Sequence, residues 1–178
     1  TTSACAADDC FSGVELRSES DWPTAWQEDE AAMLKQLNAD RAAGAMCDDE
    51  HFPPVPALTL NTALRTAARY HSQHMAQADF FDHDDPLYCG HSDRIEAAGY
   101  PLGGGWTTGE NIVMGYSSGI KAQAGLMASP GHCRNIMNPA FTEIGIGMFD
   151  PGTNGSKHWT QVFATSGARK KDAGRLER

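Results

Sequence analysis

Apolar side chains recur at helical spacing along two stretches of the chain. Across residues 25–44, Trp26, Met33, Leu34 and Leu37 fall on one face, and Gly44 supplies a stop signal. Across residues 61–79 the pattern is stronger: Leu64, Ala67, Ala68, His71, Met75 and Ala78 follow i, i+3, i+4, with Asn61 placed to cap the first turn. Between them the prolines of FPPVPALTL enforce an extended connection. Residues 82–109 are rich in Gly, Asp and Pro and read as loop, with one short helix predicted over 92–98. A short strand is predicted over 111–114 and a helix over 119–128, broken by SPGH. Two strands close the pattern. Residues 143–149 alternate Ile144, Ile146 and Met148 with small residues, and 158–165 follow after the turn-forming DPGTNGSK. Helices early and in the middle, with antiparallel strands late, predict an α+β layered domain without internal repeats.

Composition bounds that picture. The 178 residues fit one domain, and 40% hydrophobic with 21% charged is ordinary for a globular chain. No run reaches the 18 or so apolar residues of a membrane helix, so no transmembrane segment is expected. The chain opens on the polar run TTSACAADDC, so export implies a signal already removed. A formal net charge of −9 excludes a nucleic-acid partner as the leading expectation, because phosphate binding needs clustered cations. Only the tail from 169 to 178 is basic, and without apolar periodicity it reads as a terminus rather than a binding arm. Five cysteines (Cys5, Cys10, Cys47, Cys89 and Cys133), none in a CxxC pair, point to disulfides in an oxidising compartment, with at least one thiol unpaired or paired with another molecule. Residues 1–24 are read as an extension pinned by a short Cys5–Cys10 loop.

Three residues at element ends could carry chemistry: His83 in FFDHDD, Glu110 in TGENIV and His132 in SPGHCRNIMNP. Two imidazoles and a carboxylate suit a divalent metal such as zinc, or could act as general acid and base. Hydrogen bonding of each within its own loop is the alternative. His71 and His74 share a helix face, but His71 lies on the apolar stripe and reads as a core histidine. There is no HExxH or GxSxG, and Ser129 reads as turn chemistry before Pro130. Asp82, Asp84 and Asp85 lack calcium-loop spacing and read as a solvated acidic loop.

The ordered segments LNADRAAG, LTLNTALRTAARYHSQHMAQADFFDH, DRIEAAGY, TGENIVMGY, SPGHCRNIMNPAFTEIGIGMF and HWTQVFA resemble the SCP domain of the CAP superfamily (cysteine-rich secretory proteins, antigen 5, pathogenesis-related 1), in its bacterial extracellular branch. The resemblance spans 25–168 as one domain. It implies a three-layer α-β-α sandwich with a central antiparallel sheet, and a secreted, extracellular or periplasmic location. It also implies an open cleft in which several members bind a divalent cation, often zinc. By motif, His83 and His132 match the cleft histidines, and Glu110 matches the glutamate of GEN. The second family glutamate has no counterpart in AQAGLMASPGH, which leaves water, Asp82 or Asp84 to fill its place. The resemblance further implies a Cys47–Cys133 disulfide tying the end of the first helix to the segment carrying His132. Three functions follow, in order: a binding module for a lipid, sterol, glycan or protein; a zinc-dependent hydrolase of peptide or cell wall with Glu110 as general base; and a structural extracellular domain.

Overall fold

A computed structural model describes residues 9–103, 105–153 and 155–165. The basic 169–178 tail and Cys5 lie outside the described residues. The elements run α1 (Thr24–Ala43), β1 (Ala45–Cys47), β2 (Glu50–Phe52), β3 (Thr59–Leu60), α2 (Thr62–Gln77), α3 (His91–Ala97), β4 (Thr108–Met114), α4 (Gly119–Met127), α5 (Pro130–Ile136), β5 (Glu143–Phe149) and β6 (His158–Ala164). The central sheet has the order β3-β5-β6-β4. Its long strands pair antiparallel, and the two-residue β3 joins the β5 edge in parallel. β1 and β2 form a separate antiparallel ribbon between Gly44 and the prolines of the extended connection.

The period of two along the strands sorts side chains into two layers. Ile144, Ile146, Met148, Trp159 and Phe163 join Met33 and Leu37 of α1, Leu126 of α4 and Ile136 of α5 in one buried cluster. Val162 and Ala164 face the other way, against Leu64, Ala67 and Ala68 of α2 and Ile95 of α3. The arrangement is the expected three-layer α-β-α sandwich. On the α2 side β5 presents Gly145 and Gly147, and a Cβ at either would overlap the backbone of α2 at Leu64 and Ala68. These glycines let the helix lie directly on the strand. Asn61 caps α2 as its sequence suggests, accepting from the N–H groups of Ala63 and Leu64 at 2.9 and 3.3 Å.

Two features depart from the sequence reading. SPGH does break α4, but Pro130 then opens α5, its missing N–H costing nothing at a first helical position. Residues 108–110, read as the end of a loop, are already strand, so Glu110 lies within β4 rather than ahead of it.

Two disulfides are formed. Cys47 pairs with Cys133, linking β1 to α5. Cys10 pairs with Cys89, so the Cys5–Cys10 loop is not formed, and Cys89 is committed within the chain. The reason is topological. The segment ahead of α1 crosses α2, where the Tyr70 hydroxyl accepts from the Gly13 N–H at 3.0 Å and the Gln73 amide donates to the Glu15 carbonyl at 2.8 Å. That path delivers Cys10, fully buried, to the loop after α2.

Candidate functional site

Glu110 and Asn111 are neighbours on β4 and so point to opposite faces of the sheet. Glu110 faces the α2–α3 layer. Its Oε1 lies 2.9 Å from His83 Nδ1, and its Oε2 accepts from Arg94 Nη2 at 2.8 Å. His71 Nε2 stands 3.8 Å from the same carboxylate and 2.9 Å from the Asp82 carbonyl oxygen. Asn111 faces the other layer, where its amide donates to the His132 carbonyl at 3.2 Å and its Oδ1 accepts from Asn135 at 2.9 Å. The two histidines therefore approach the same edge strand from different layers of the sandwich. His83 arrives on the loop after α2, and His132 on the first turn of α5.

α5 is itself anchored from the core. Arg41 of α1 is fully buried, and its Nη1 donates to the carbonyls of Ile136 and Asn138 at 2.5 and 3.0 Å, at the helix's C-terminal end. Cys133, beside His132, adds the covalent link to Cys47.

The electrostatics follow from burial. The Glu110 side chain is 1% exposed. Burial works to raise its pKa, but the Arg94 guanidinium, then His71 and His83, hold it down at about 2. It is a fixed anion. His71 is pushed down to about 3 by burial, against the opposing pull of Glu110, and is a neutral core imidazole. His83, with 49% of its side chain exposed, is raised above the ordinary histidine value, first by its hydrogen bond to Glu110. His132 is lowered, chiefly by burial and then by the charge of His83. His91, lowered by burial, has its Nε2 3.1 Å from Thr108 Oγ1 at the start of β4.

With Nδ1 committed to Glu110, His83 keeps Nε2 for a ligand, in the carboxylate–imidazole arrangement that supports metal-bound histidines. Burial keeps the His132 ring neutral, with a lone pair to offer. His83 and His132 are thus the candidate donors for a divalent cation at this edge. Glu110 is already engaged by Arg94 and His83. Among the described residues no three His, Cys, Asp or Glu side chains converge as a metal group. Two histidines alone would leave most of a cation's coordination to water.

The sequence reading singles out His83, Glu110 and His132 but not Arg94, which is fully buried in α3. Its only signal was a charged residue beside Ile95 on the inner face of a short amphipathic helix. His71 and His74 are both buried, as a core reading of the pair requires. Ser129 stands at the N-terminal boundary of α5.

A separate cavity of about 580 Å³ lies between α1 and α2, where β3 ends along the β5 edge. Ala31 and Leu34 of α1, Leu60 of β3 and Ile146 of β5 give it an apolar lining, and Lys35 and Arg65 add cations. At one side Glu30 and Arg69 form a buried ion pair at 2.5 Å, and Glu30 also accepts from the Met148 N–H at 3.0 Å.

Among known proteins, the model of the cysteine-rich secretory protein family, CAP, matches residues 53–163. The YkwD protein of Bacillus subtilis (strain 168) is 36% identical over 106 residues, covering 60% of this chain and 38% of that protein. The chain thus spans less than half the length of that relative. A crystal structure of an extracellular SCP-domain protein from Bacillus anthracis superposes with a TM-score of 0.69 at 24% identity, covering 85% of this chain and 45% of that one. An outer surface protein of Borrelia burgdorferi superposes with a TM-score of 0.64 at 14% identity, over 79% of this chain and 94% of that one. No helix among the described residues is long and apolar enough to cross a membrane. The family model covers more than half of the chain, and the chain belongs to the cysteine-rich secretory protein (CAP) family.

Proposed function

We propose that this CAP domain is an extracellular binding module that takes up a single-chain amphipathic lipid in the cavity between α1 and α2. The cavity carries the reading: about 580 Å³ lies within the usual size of a ligand site, and its apolar lining is contributed by three separate elements. Each methylene buried there contributes about 0.8 kcal/mol. Lys35 offers charge to an acidic head group, beside Arg65, which is paired with Glu19, so a long-chain carboxylate suits the site better than a neutral sterol. The secreted setting rests on the two disulfides and on the likeness to an extracellular SCP protein.

The edge-strand cleft is a second, polar station. His83 and His132 would hold a divalent cation there, zinc by donor type, which would supply Lewis acidity to a bound oxygen. A hydrolase would need Glu110 as general base. Its carboxylate, tied to Arg94 and His83 and held at about pKa 2, is too weak a base near neutral pH. Binding therefore ranks above hydrolysis.

Displacement of a fluorescent fatty acid by palmitate tests the reading, with Leu34→Trp as the variant that fills the cavity. Saturable one-to-one uptake by the wild type, weakened tenfold or so in the variant, is expected. Uptake unchanged by Leu34→Trp, or no uptake by the wild type, would remove the lipid reading.

A further inference from the structure

The segment from Asp82 to Gly90 has no regular secondary structure, yet it sets the position of His83. Its second half is self-contained. Asp85 Oδ1 accepts from the N–H groups of Leu87 and Cys89 at 2.9 and 3.0 Å, the Tyr88 N–H donates to the Asp85 carbonyl at 2.8 Å, and Tyr88 takes a left-handed φ of 62°. His83 lies outside that turn. Its backbone and its ring are located by three contacts to other elements: His71 with the Asp82 carbonyl, Glu110 with the His83 ring, and Arg94 Nη2 donating to the His83 carbonyl at 2.9 Å.

Arg94 occupies a special place among these. The nitrogen that reaches the His83 carbonyl is the one that donates to Glu110 Oε2 at 2.8 Å. The main chain of His83 and the carboxylate that orients its ring are thus both referenced to one atom. The other terminal nitrogen, Nη1, donates to the Cys89 carbonyl at 2.5 Å, at the far end of the segment and beside the disulfide to Cys10. The guanidinium is fully buried, so these bonds are shielded from water. The planar fork matters. Two nitrogens fixed about one carbon can span both ends of the segment, which a single ammonium at the end of a shorter stem cannot.

We propose that Arg94 is the positioning residue of the cleft, fixing the direction of the free His83 ring nitrogen by clamping the His83 carbonyl, the Cys89 carbonyl and Glu110 to one guanidinium. The role is geometric, and it does not depend on lipid uptake or on a metal. The alternative is that Arg94 only neutralises Glu110, for which any cation would serve.

The test uses the full chain with Arg94→Lys, which keeps the charge and removes the fork, and Arg94→Gln, which removes both. The ring ¹⁵N shifts of His83 report its tautomer, and hydrogen exchange reports residues 83–89. In the wild type a single tautomer with the proton on Nδ1 is expected at pH values above the His83 titration. In Arg94→Lys the two ring shifts are expected to converge, and exchange over 83–89 to rise about tenfold or more, the scale of one lost charge-assisted hydrogen bond. β5 and β6 should keep their protection. A His83 ring signature in Arg94→Lys identical to the wild type would overturn the proposal, because charge alone would then suffice. Should neither variant fold, the wild type decides: slowly exchanging Arg94 guanidinium protons support the clamp, and fast exchange overturns it. Palmitate uptake is expected to be equal in the wild type and Arg94→Lys, which separates this inference from the lipid reading.

Discussion

At the residue scale the site is a set of buried charges whose values depend on one another. Glu110→Gln keeps the shape but leaves Arg94 buried without its anion, which is costly in a shielded site. A loss of about 3 kcal/mol at pH 7 is expected from urea unfolding. The pH dependence has a definite sign. Glu110 has a folded pKa of about 2, below its unfolded value, so its contribution is complete above about pH 4.5 and is lost as pH falls toward 2. The gap between the wild type and Glu110→Gln should narrow over that window. His71 acts in the same direction for a different reason. Folded, it titrates near 3, and unfolded near 6.5, so the unfolded chain binds the extra proton between those values. Stability should fall on acidification through that range, with a slope of up to about 1.4 kcal/mol per pH unit from this proton. His71→Gln should lose that part of the slope, and a slope unchanged between pH 6.5 and 3 would place the acid sensitivity elsewhere. His83 was legible because it stands in the loop after α2, and Glu110 because a carboxylate opens the apolar run of TGENIV, although it lies within β4 rather than at its edge. Arg94 was not, because nothing in DRIEAAGY distinguishes a buried guanidinium from a solvated one until the partners 11 and 16 residues away come into contact with it.

At the element scale, legibility followed the strength of the periodic signal. α2 repeats its apolar positions over four turns and starts at a capping Asn61, and the sequence places it within a residue or two. The alternation EIGIGMF gives β5, and it also carries a packing instruction, since the small residues are where α2 rests. What was hidden is short: β1 and β2 have three residues each and β3 has two, so none has room for an alternation. α5 was obscured because Pro130 and Gly131 read as breakers when proline at a first turn is also a helix opener. The β5–α2 contact gives a sharp expectation. Gly147→Ala puts a methyl group into the backbone of Ala68, and forcing the helix off the sheet should cost about 2 kcal/mol or more. Gly131→Ala, in α5 with nothing within 4 Å of the added carbon, should be neutral or stabilising by up to about 1 kcal/mol. Thermal unfolding of the two alanine variants checks the pair. Equal midpoints would show that α2 does not rest on the strand as closely as described.

At the scale of the whole molecule, the site draws on two layers of the sandwich that are joined at β4 through the adjacent residues Glu110 and Asn111. His83 belongs to the α2 side, His132 to the α1 side, and the two are bonded to adjacent residues of the edge strand β4, His83 through its ring to Glu110 and His132 through its carbonyl to Asn111. Each side carries its own covalent tie near the histidine: Cys89 six positions after His83, and Cys133 immediately after His132. The first tie makes the segment ahead of α1 part of the folded unit, although composition alone read it as an extension. Cys10, Gly13, Glu15 and Glu19 of that segment all engage α2 or the loop after it, Glu19 through ion pairs to Arg65 and Arg69. Both pairs end on the half-exposed Glu19 carboxylate, where solvent screening weakens them, so the disulfide should dominate the segment's effect. Closing loops with sequence separations of 79 and 86 residues predicts about 4.5 kcal/mol for either bridge in the chain-entropy model. For a chain of this size, that is a fall of about 10 °C or more in the unfolding midpoint. Replacing Cys10 and Cys89 by serine, and separately deleting residues 1–18, which spares the buried Trp22, should give similar losses if the bridge is the main tie. A deletion much more harmful than the double serine variant would mean that the packing of the segment across α2, and not its covalent link, holds the His83 side of the cleft in place.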